Sequence, residues 1–316
     1  MGIVEKIRRL KVSFSLYNFF KQKQLRHNSE AYKKFKINKY LFQSISSKDF
    51  EQLEKGERPW LDLEFNKDTF ESKLNSSSFE VETKNTLAEW PKNGYAILHS
   101  FFDSKKCEEI NTEIERLIQE QAVEFNSSEK IMFANKKSDL INAVTQNKKL
   151  KNVLEFILGE EVVPFQTINF IKGSEQEAHS DSIHMTTFPL GYLLAVWIAL
   201  EDISLEQGAL SYYPGSHKLG YIMNKDYNRG GNRFTLGSEN NYLNYEKKIA
   251  ETIQENKLKK NIFEAKKGDI LIWHANLIHG GEPIVKKDST RKSMVIHYFG
   301  KNVVKYHEIT ERPALL

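Results

Sequence analysis

Three residues of types that bind divalent metals are spaced along this chain in a way that suits a single ion. His179 and Asp181 are separated by one serine, and His279 follows far downstream. Two imidazoles and one carboxylate can occupy one face of an octahedral Fe(II) ion and leave the opposite positions open. Because this 2-His-1-carboxylate set is typical of non-haem iron oxygenases, the spacing predicts an iron-dependent oxygenase.

The single residue between His179 and Asp181 indicates how both side chains reach one ion. On a β-strand, residues i and i+2 point to the same face of the sheet. The third ligand must then come from a remote strand, and both His274 and His279 are candidates. They are five residues apart, so on a continuous strand they face opposite sides. Spacing alone leaves both open.

Arg291 follows His279 by twelve residues and adds a permanent positive charge. Its forked guanidinium is suited to binding a carboxylate end-on. An iron site with open positions beside such an arginine predicts an enzyme that binds a keto acid cosubstrate and activates oxygen.

The segments around these residues resemble, in their order along the chain, the phytanoyl-CoA dioxygenase family of Fe(II)/2-oxoglutarate oxygenases. The resemblance extends over roughly residues 88 to 300 and rests on the segments NGYAIL (93–98), LLAVWIALED (193–202), QGAL (207–210), PGSHK (214–218), GDILIWH (268–274) and IHGG (278–281). It implies a mainly β fold, namely a double-stranded β-helix (a cupin-like jelly-roll) with flanking helices and an α-helical N-terminal extension.

The resemblance also implies roles for individual residues. The iron ligands that it implies are His179, Asp181 and His279, which selects His279 over His274. The residues that it implies for the cosubstrate are Arg291, which would hold the distal carboxylate of 2-oxoglutarate, and Ser293, Gln166 and Trp197 beside it.

The implied cofactors are Fe(II), 2-oxoglutarate and O2. The implied reaction hydroxylates an unactivated C–H bond of an acyl, lipid-linked or small-metabolite substrate and releases succinate and CO2. Related halogenases lack the metal-binding carboxylate, so the presence of Asp181 favours hydroxylation or desaturation. Two other functions are considered: a non-catalytic jelly-roll scaffold or binding protein, and a facial-triad iron oxygenase that does not use 2-oxoglutarate.

The other histidines divide into two groups by their expected roles. His184 is a candidate for lining the substrate pocket, whereas His217 and His274 are expected to be structural or to lie behind the metal ligands. The histidines expected to be ordinary surface or core residues are His27, His99, His297 and His307.

Positive charge is concentrated at the N-terminus. The chain of 316 residues has a net charge of +4, and residues 1–40 contain 11 Lys and Arg against 2 Glu. No nucleic-acid-binding motif accompanies this charge, so nucleic acid is not an expected partner. The single Cys107 suits a reducing compartment. Since neither a secretory signal nor a membrane-spanning run is evident, we expect a cytoplasmic protein, at most peripheral on the inner face of a membrane.

Apolar residues at steps of four and three predict an amphipathic helix near the N-terminus. They are Ile3, Ile7, Leu10, Phe14 and Tyr17. This helix could dock on the oxygenase domain or on a second subunit. Alternatively, residues 1–25 could lie on an anionic membrane surface. The sequence leaves both alternatives and the oligomeric state open.

The pattern of elements predicts two parts. Residues 1–85 form a basic, helical extension and linker, and residues 86–316 form the oxygenase domain, with helices over 104–122 and 137–158. Strands are predicted over 162–172, 193–200, 209–213, 262–265, 269–274 and 292–299. The long polar insertion 218–261 is interpreted as a substrate lid, with Arg229 and Arg233 as contacts for an anionic group, or else as a solvated loop.

Overall fold

The computed structural model describes residues 10–53, 56–62, 67–126, 128–227, 230–232, 234–237 and 242–316. In this part of the chain the strands form three antiparallel sheets. The largest has six strands in the order β1 (Tyr95–Leu98), β8 (Ile270–His274), β5 (Leu193–Ala199), β10 (Ser293–Gly300), β3 (Val162–Phe170) and β2 (Lys130–Met132). The second has β12 (Arg312–Pro313), β11 (Val304–His307) and β4 (Thr186–Phe188), and the third has β7 (Asn261–Phe263), β6 (Leu210–Tyr212) and β9 (His279–Gly281).

Nine α-helices are present in the described residues. They are α1 (Lys11–Phe20), α2 (Ser29–Lys34), α3 (Lys67–Ser76), α4 (Val81–Ala88), α5 (Trp90–Asn93), α6 (Ser104–Gln119), α7 (Asp139–Thr145), α8 (Lys148–Leu158) and α9 (Tyr242–Glu255). None of them combines the length and the apolar character that crossing a lipid bilayer requires.

Strand β5 is buried at every position because both faces of the large sheet are covered. Its even-numbered residues, such as Val196 and Ile198, pack in one apolar cluster with α6, α7 and α8. Its odd-numbered residues, such as Trp197, pack with Leu210 of β6 and Phe263 of β7. The period of two along one strand therefore divides the core into a helix-facing layer and a layer between the sheets.

Helix α6 begins where the sequence predicts it to begin. The carboxylate of Asp103 accepts a hydrogen bond of 2.7 Å from the backbone N–H of Lys106, which satisfies a donor left free in the first helical turn. The buried residues Cys107, Ile110 and Ile114 then recur at helical spacing and face the large sheet. Burial raises the pKa of the Cys107 thiol to about 11, so this cysteine is an apolar core residue at neutral pH.

The N-terminal segment packs against the C-terminal strands. The side-chain amide of Asn28 donates to the backbone carbonyl of Lys305 at 3.0 Å and its oxygen accepts the Lys305 N–H at 2.9 Å. Tyr32 and Phe50 share an apolar cluster with Phe188 of β4 and with Val304 and Tyr306 of β11. Of the predicted N-terminal helix, the structure contains α1, while positions 3 and 7 lie outside the described residues.

The polar insertion 218–261 contains a regular helix rather than only loop. Helix α9 occupies fourteen of its residues and buries Tyr245 and Ile249 on one face. The prediction of a long loop was therefore wrong over this stretch, because polar composition hid an apolar stripe with helical spacing. The proposed contacts Arg229 and Arg233 lie outside the described residues.

Candidate metal centre

The two histidines of the predicted site lie directly opposite each other on neighbouring chain segments. The backbone N–H of each donates to the carbonyl of the other, at 2.9 Å in both directions, as in an antiparallel strand pair. Their ring centroids are 4.5 Å apart. His279 also opens strand β9, which pairs with β6. Backbone pairing therefore brings the remote histidine beside His179.

Asp181 completes a compact group of three possible ligand atoms. One of its oxygens, Oδ1, lies 4.0 Å from His179 Nε2 and 3.8 Å from His279 Nε2. The three ligand atoms all lie within 4.8 Å of one another, and all three side chains are buried. Ser180 is extended as predicted, but the strand stops there because Asp181 begins a 3₁₀ turn over Asp181–Ile183. A single extended residue suffices to bring both side chains to one centre.

Backbone carbonyls hold the imidazole rings in the orientation that metal binding requires. His179 donates from Nδ1 to the carbonyl of Glu177 at 2.8 Å, and His279 donates from Nδ1 to the carbonyl of Leu277 at 3.0 Å. The lone pair of each ring is therefore on Nε2, on the side of Asp181. Burial also keeps the pKa of both histidines below the ordinary value, so both rings are neutral at pH 7.

The second oxygen of Asp181 is held by an indole. Trp273 donates from Nε1 to Oδ2 at 2.8 Å, and His297 Nε2 lies 3.4 Å from the same oxygen. Burial alone would raise the pKa of Asp181, but the facing imidazoles of His279 and His297 outweigh it and keep the pKa below the ordinary range. The site thus presents two neutral imidazoles and one ionised carboxylate.

Arg291 is a buried cation that packs against aromatic side chains, and a second cation, Lys130, lines the same cavity. Its guanidinium lies over the rings of Phe170 and Trp197, at 5.5 Å and 5.8 Å from the ring centroids. It donates from Nη1 to the hydroxyl of Ser293 at 3.3 Å, whereas Nε has no hydrogen-bond partner. No carboxylate within the described ranges pairs with it. Burial lowers the pKa of Arg291 to about 10, which leaves it charged at neutral pH.

One cavity of about 300 Å³ joins the metal group to Arg291. Gln166 and Trp197 also line it, as the sequence predicts. Ser293 does not line it but lies behind Arg291, from which its hydroxyl accepts a hydrogen bond. The amide nitrogen of Gln166 lies 3.2 Å from His297 Nδ1. All seven predicted site residues therefore lie in or directly behind this cavity.

Several residues that line the cavity were not predicted, and three of them place polar groups in it. Trp273 and His297 both approach Asp181, although His297 was expected to be an ordinary surface or core residue. Lys130 donates from Nζ to Gln176 Oε1 at 2.7 Å, and burial lowers its pKa. A signal existed for His297, because it follows Ser293 on β10 at an even spacing and so faces the same side.

The other histidines with predicted roles divide between the cavity and the protein interior. His184 lines the cavity, and its Nε2 lies 3.1 Å from the hydroxyl of Tyr242. His274 points away from the metal group, since its Nε2 donates to Asp62 at 3.0 Å. The ring of His217 packs against His274, with centroids 5.5 Å apart. His217 and His274 are structural, and His184 lies at the pocket.

Comparison with known proteins fits this geometry. The model of the phytanoyl-CoA dioxygenase (PhyH) family matches residues 90–293, which is more than half of the chain and includes the metal group and Arg291. The chain belongs to the PhyH family.

Curated PhyH proteins are similar over part of their length. A phytanoyl-CoA dioxygenase domain-containing protein 1 homolog from Dictyostelium discoideum is 29% identical over 180 residues, which cover 56% of this chain and 57% of that protein. The corresponding protein from Rattus norvegicus is 26% identical over 168 residues, covering 50% and 52%. The chain thus spans about half the length of the curated relatives that it matches.

Solved structures share the fold at low identity. The non-heme alpha ketoglutarate dependent carbocyclase SnoK from nogalamycin biosynthesis aligns with a TM-score of 0.60 at 15% identity, covering 77% of this chain and 94% of that one. EctD from S. alaskensis with 2-oxoglutarate and 5-hydroxyectoine aligns with a TM-score of 0.56 at 17% identity, covering 81% and 86%. These similarities confirm the prediction of a jelly-roll core with flanking helices.

Proposed function

We propose that this PhyH-family protein is an Fe(II)/2-oxoglutarate-dependent dioxygenase. It hydroxylates an unactivated C–H bond of an acyl, lipid-linked or small-metabolite substrate and releases succinate and CO2. The proposal rests on one cavity that contains both a 2-His-1-carboxylate group and a buried arginine without an acidic partner in the described part of the chain. We assign this activity to residues 86–316 and regard residues 1–85 as an extension.

The donor set fits Fe(II). His179 and His279 offer neutral Nε2 lone pairs, and Asp181 offers one negative oxygen. Imidazole and carboxylate ligands on one face suit non-haem iron and leave positions for further ligands. The carbonyls that accept from Nδ1 fix both rings, so little reorganisation is needed when iron binds.

The environment of Arg291 fits one carboxylate of a dicarboxylic cosubstrate. An unpaired buried charge is costly, and an anion in the cavity would relieve that cost. The guanidinium fork can hold such a carboxylate through two hydrogen bonds, with Ser293 supporting it from behind. Phe170 and Trp197 form the walls on either side. A cavity of about 300 Å³ accommodates a molecule as small as 2-oxoglutarate together with part of a substrate.

The protein positions the reactants and excludes water. Iron, when bound, supplies the oxygen activation that couples oxidative decarboxylation of 2-oxoglutarate to C–H oxidation. One oxygen atom of O2 enters succinate and the other enters the new hydroxyl group of the substrate. Trp273 and His297 orient the Asp181 carboxylate, and burial of the three ligand side chains limits the contact of bulk water with the centre. His184 and Lys130, which line the same cavity, are placed to contact substrate.

The presence of Arg291 beside the metal group also disfavours the two alternative functions. An iron oxygenase without a keto acid has no need for a buried, unpaired guanidinium beside the metal. A non-catalytic scaffold would carry the cost of burying Asp181 and Arg291 without any benefit from it.

Anaerobic titration of the purified protein with Fe(II) and then 2-oxoglutarate tests the proposal. We expect a visible charge-transfer band that is lost in His279→Ala and weakened in Arg291→Ala. The control is His99→Ala, because His99 lies outside the cavity and is largely exposed. A folded, iron-loaded protein without the band would refute the use of 2-oxoglutarate.

A further inference from the structure

Helix α1 exposes a contiguous apolar face. Val12, Leu16, Phe19 and Phe20 define this apolar face of α1, and their spacing places them on one side of the helix. The exposed fractions of Val12, Leu16 and Phe20 are 70%, 61% and 76%. Large aromatic and aliphatic residues grouped in this way on a surface mark an interaction site.

Neighbouring aromatic residues extend the apolar face beyond the helix. Phe19 contacts Phe42 edge to face at 5.4 Å between ring centroids, and Tyr40 stacks on Phe42 at the same distance. Tyr40 is itself 70% exposed. At the other end of α1, the N–H of Lys11 donates to the carbonyl of Phe234, whose side chain is also exposed. The patch is therefore larger than one helix.

The opposite side of α1 is fixed to the body of the protein. The guanidinium of Arg312 lies 3.1 Å from the centroid of the Phe14 ring, and Lys11 pairs with Glu311 at 2.5 Å. The amide of the buried Asn18 donates to the carbonyl of Phe42 at 3.4 Å. Because these contacts anchor the helix, its apolar face is held outward.

The charges that α1 and the turn after it place beside the apolar face are positive. Residues 10–29 contain no Asp or Glu, and they include Lys21, Lys23 and Arg26 directly after the helix. Lys23 and Arg26 are exposed. Two copies of this chain meeting through the patch would bring these cations together, whereas an anionic lipid surface would neutralise them.

We propose that the apolar face of α1, with Tyr40 and the cations that follow the helix, docks on an anionic lipid bilayer. The apolar side chains would enter the interface between headgroups and acyl chains, and the cations would contact the headgroups. Aromatic residues favour this depth of a bilayer. The inference concerns the location of the protein and is independent of the chemistry proposed for the cavity.

Co-sedimentation of the full-length protein with vesicles tests this surface. We expect binding to vesicles that contain phosphatidylglycerol and weak binding to vesicles of phosphatidylcholine alone. Leu16→Ser/Phe20→Ser should lower the partition coefficient on the order of tenfold or more, because buried apolar area is lost. Lys21→Gln/Lys23→Gln should lower it by about fivefold per charge, and less at high salt.

Val285→Ser is the matched control, because Val285 is equally exposed on another surface of the protein. It should bind vesicles like the wild type. The substituted side chains are exposed except that of Lys21, which is half-buried, and circular dichroism of each variant checks that the fold is retained. Wild-type protein that does not bind anionic vesicles at low salt overturns the proposal. A second outcome also overturns it: the wild type dimerises but does not bind vesicles, and Leu16→Ser/Phe20→Ser no longer dimerises. That result would assign the patch to a second copy of the chain.

Discussion

The hydroxyl of Tyr245 bonds both backbone groups of Ser180, the residue between two proposed metal ligands. It accepts from the Ser180 N–H at 2.9 Å and donates to the Ser180 carbonyl at 3.3 Å. Tyr245 is completely buried on α9, the helix within the insertion 218–261. The insertion therefore supports the loop that carries His179 and Asp181 from behind.

Replacing Tyr245 with Phe should weaken iron binding and stability together. The Ser180 N–H and carbonyl would remain buried without a partner, which costs about 1–3 kcal/mol in the free energy of unfolding. Because the ligand loop would lose its support, we expect the affinity for Fe(II) to fall about tenfold. Anaerobic iron titration and urea unfolding of the apoprotein measure the two effects.

The neighbouring Tyr242 provides the control for this prediction. Its hydroxyl contacts His184 rather than the Ser180 backbone. Tyr242→Phe should therefore retain the iron affinity of the wild type. Equal iron affinities of Tyr245→Phe and the wild type would show that α9 does not position the ligands.

The metal group was predictable because its signal is local. His179-Ser180-Asp181 is a short motif, and the order of the surrounding segments selected His279. Helix α9 was missed although Tyr242, Tyr245 and Ile249 have helical spacing, since its composition is polar. Lys130 left no comparable signal, because it reaches the cavity only through the pairing of β2 with β3, where it lies opposite Phe170. Such a register depends on the whole fold.

His297 is predicted to contribute to iron binding through Asp181. Replacing it with Leu removes the imidazole that lies 3.4 Å from Asp181 Oδ2 and keeps the hydrogen bond from the Trp273 indole to that oxygen. We expect about tenfold weaker Fe(II) binding and a shifted charge-transfer band in the presence of 2-oxoglutarate. Spectroscopic titration under anaerobic conditions measures both.

Ile296→Val separates this effect from general destabilisation. Ile296 precedes His297 on β10 and faces the helices on the other side of the sheet. The substitution should cost about 0.5–1.5 kcal/mol of stability and leave the iron affinity unchanged. A band and affinity in His297→Leu that match those of Ile296→Val would contradict a role for His297 at the metal.

Arg291→Met should separate cosubstrate binding from stability. Replacing a buried, unpaired charge by an apolar side chain of similar length should leave the apoprotein at least as stable as the wild type. The same substitution removes the guanidinium that would bind one carboxylate of 2-oxoglutarate. We therefore expect 2-oxoglutarate to bind about 30-fold more weakly or worse. Thermal unfolding and titration of the charge-transfer band measure the two quantities. Lys292→Met, at the half-buried neighbouring position, should retain cosubstrate affinity, and an equal loss in both variants would contradict the assignment.

The stability of the protein should fall in mildly acidic solution because buried histidines must remain neutral in the folded state. Burial lowers the pKa of His27 from 6.5 to about 4. Its Nε2 donates to the carbonyl of Ala314 at 2.9 Å, while Nδ1 is buried and has no hydrogen-bond partner among the described residues. The unfolded chain therefore binds a proton between about pH 6.5 and 4 that the folded chain excludes, and stability decreases as the pH falls through this range.

His27→Gln should remove the share of this pH dependence that belongs to His27. Glutamine can still donate to the Ala314 carbonyl but does not titrate. We expect a free energy of unfolding close to that of the wild type at neutral pH and a relative gain of about 2 kcal/mol near pH 5. Urea unfolding at both pH values measures the difference. If the free energy of unfolding falls equally in the variant and the wild type between the two pH values, His27 already binds a proton in the folded protein.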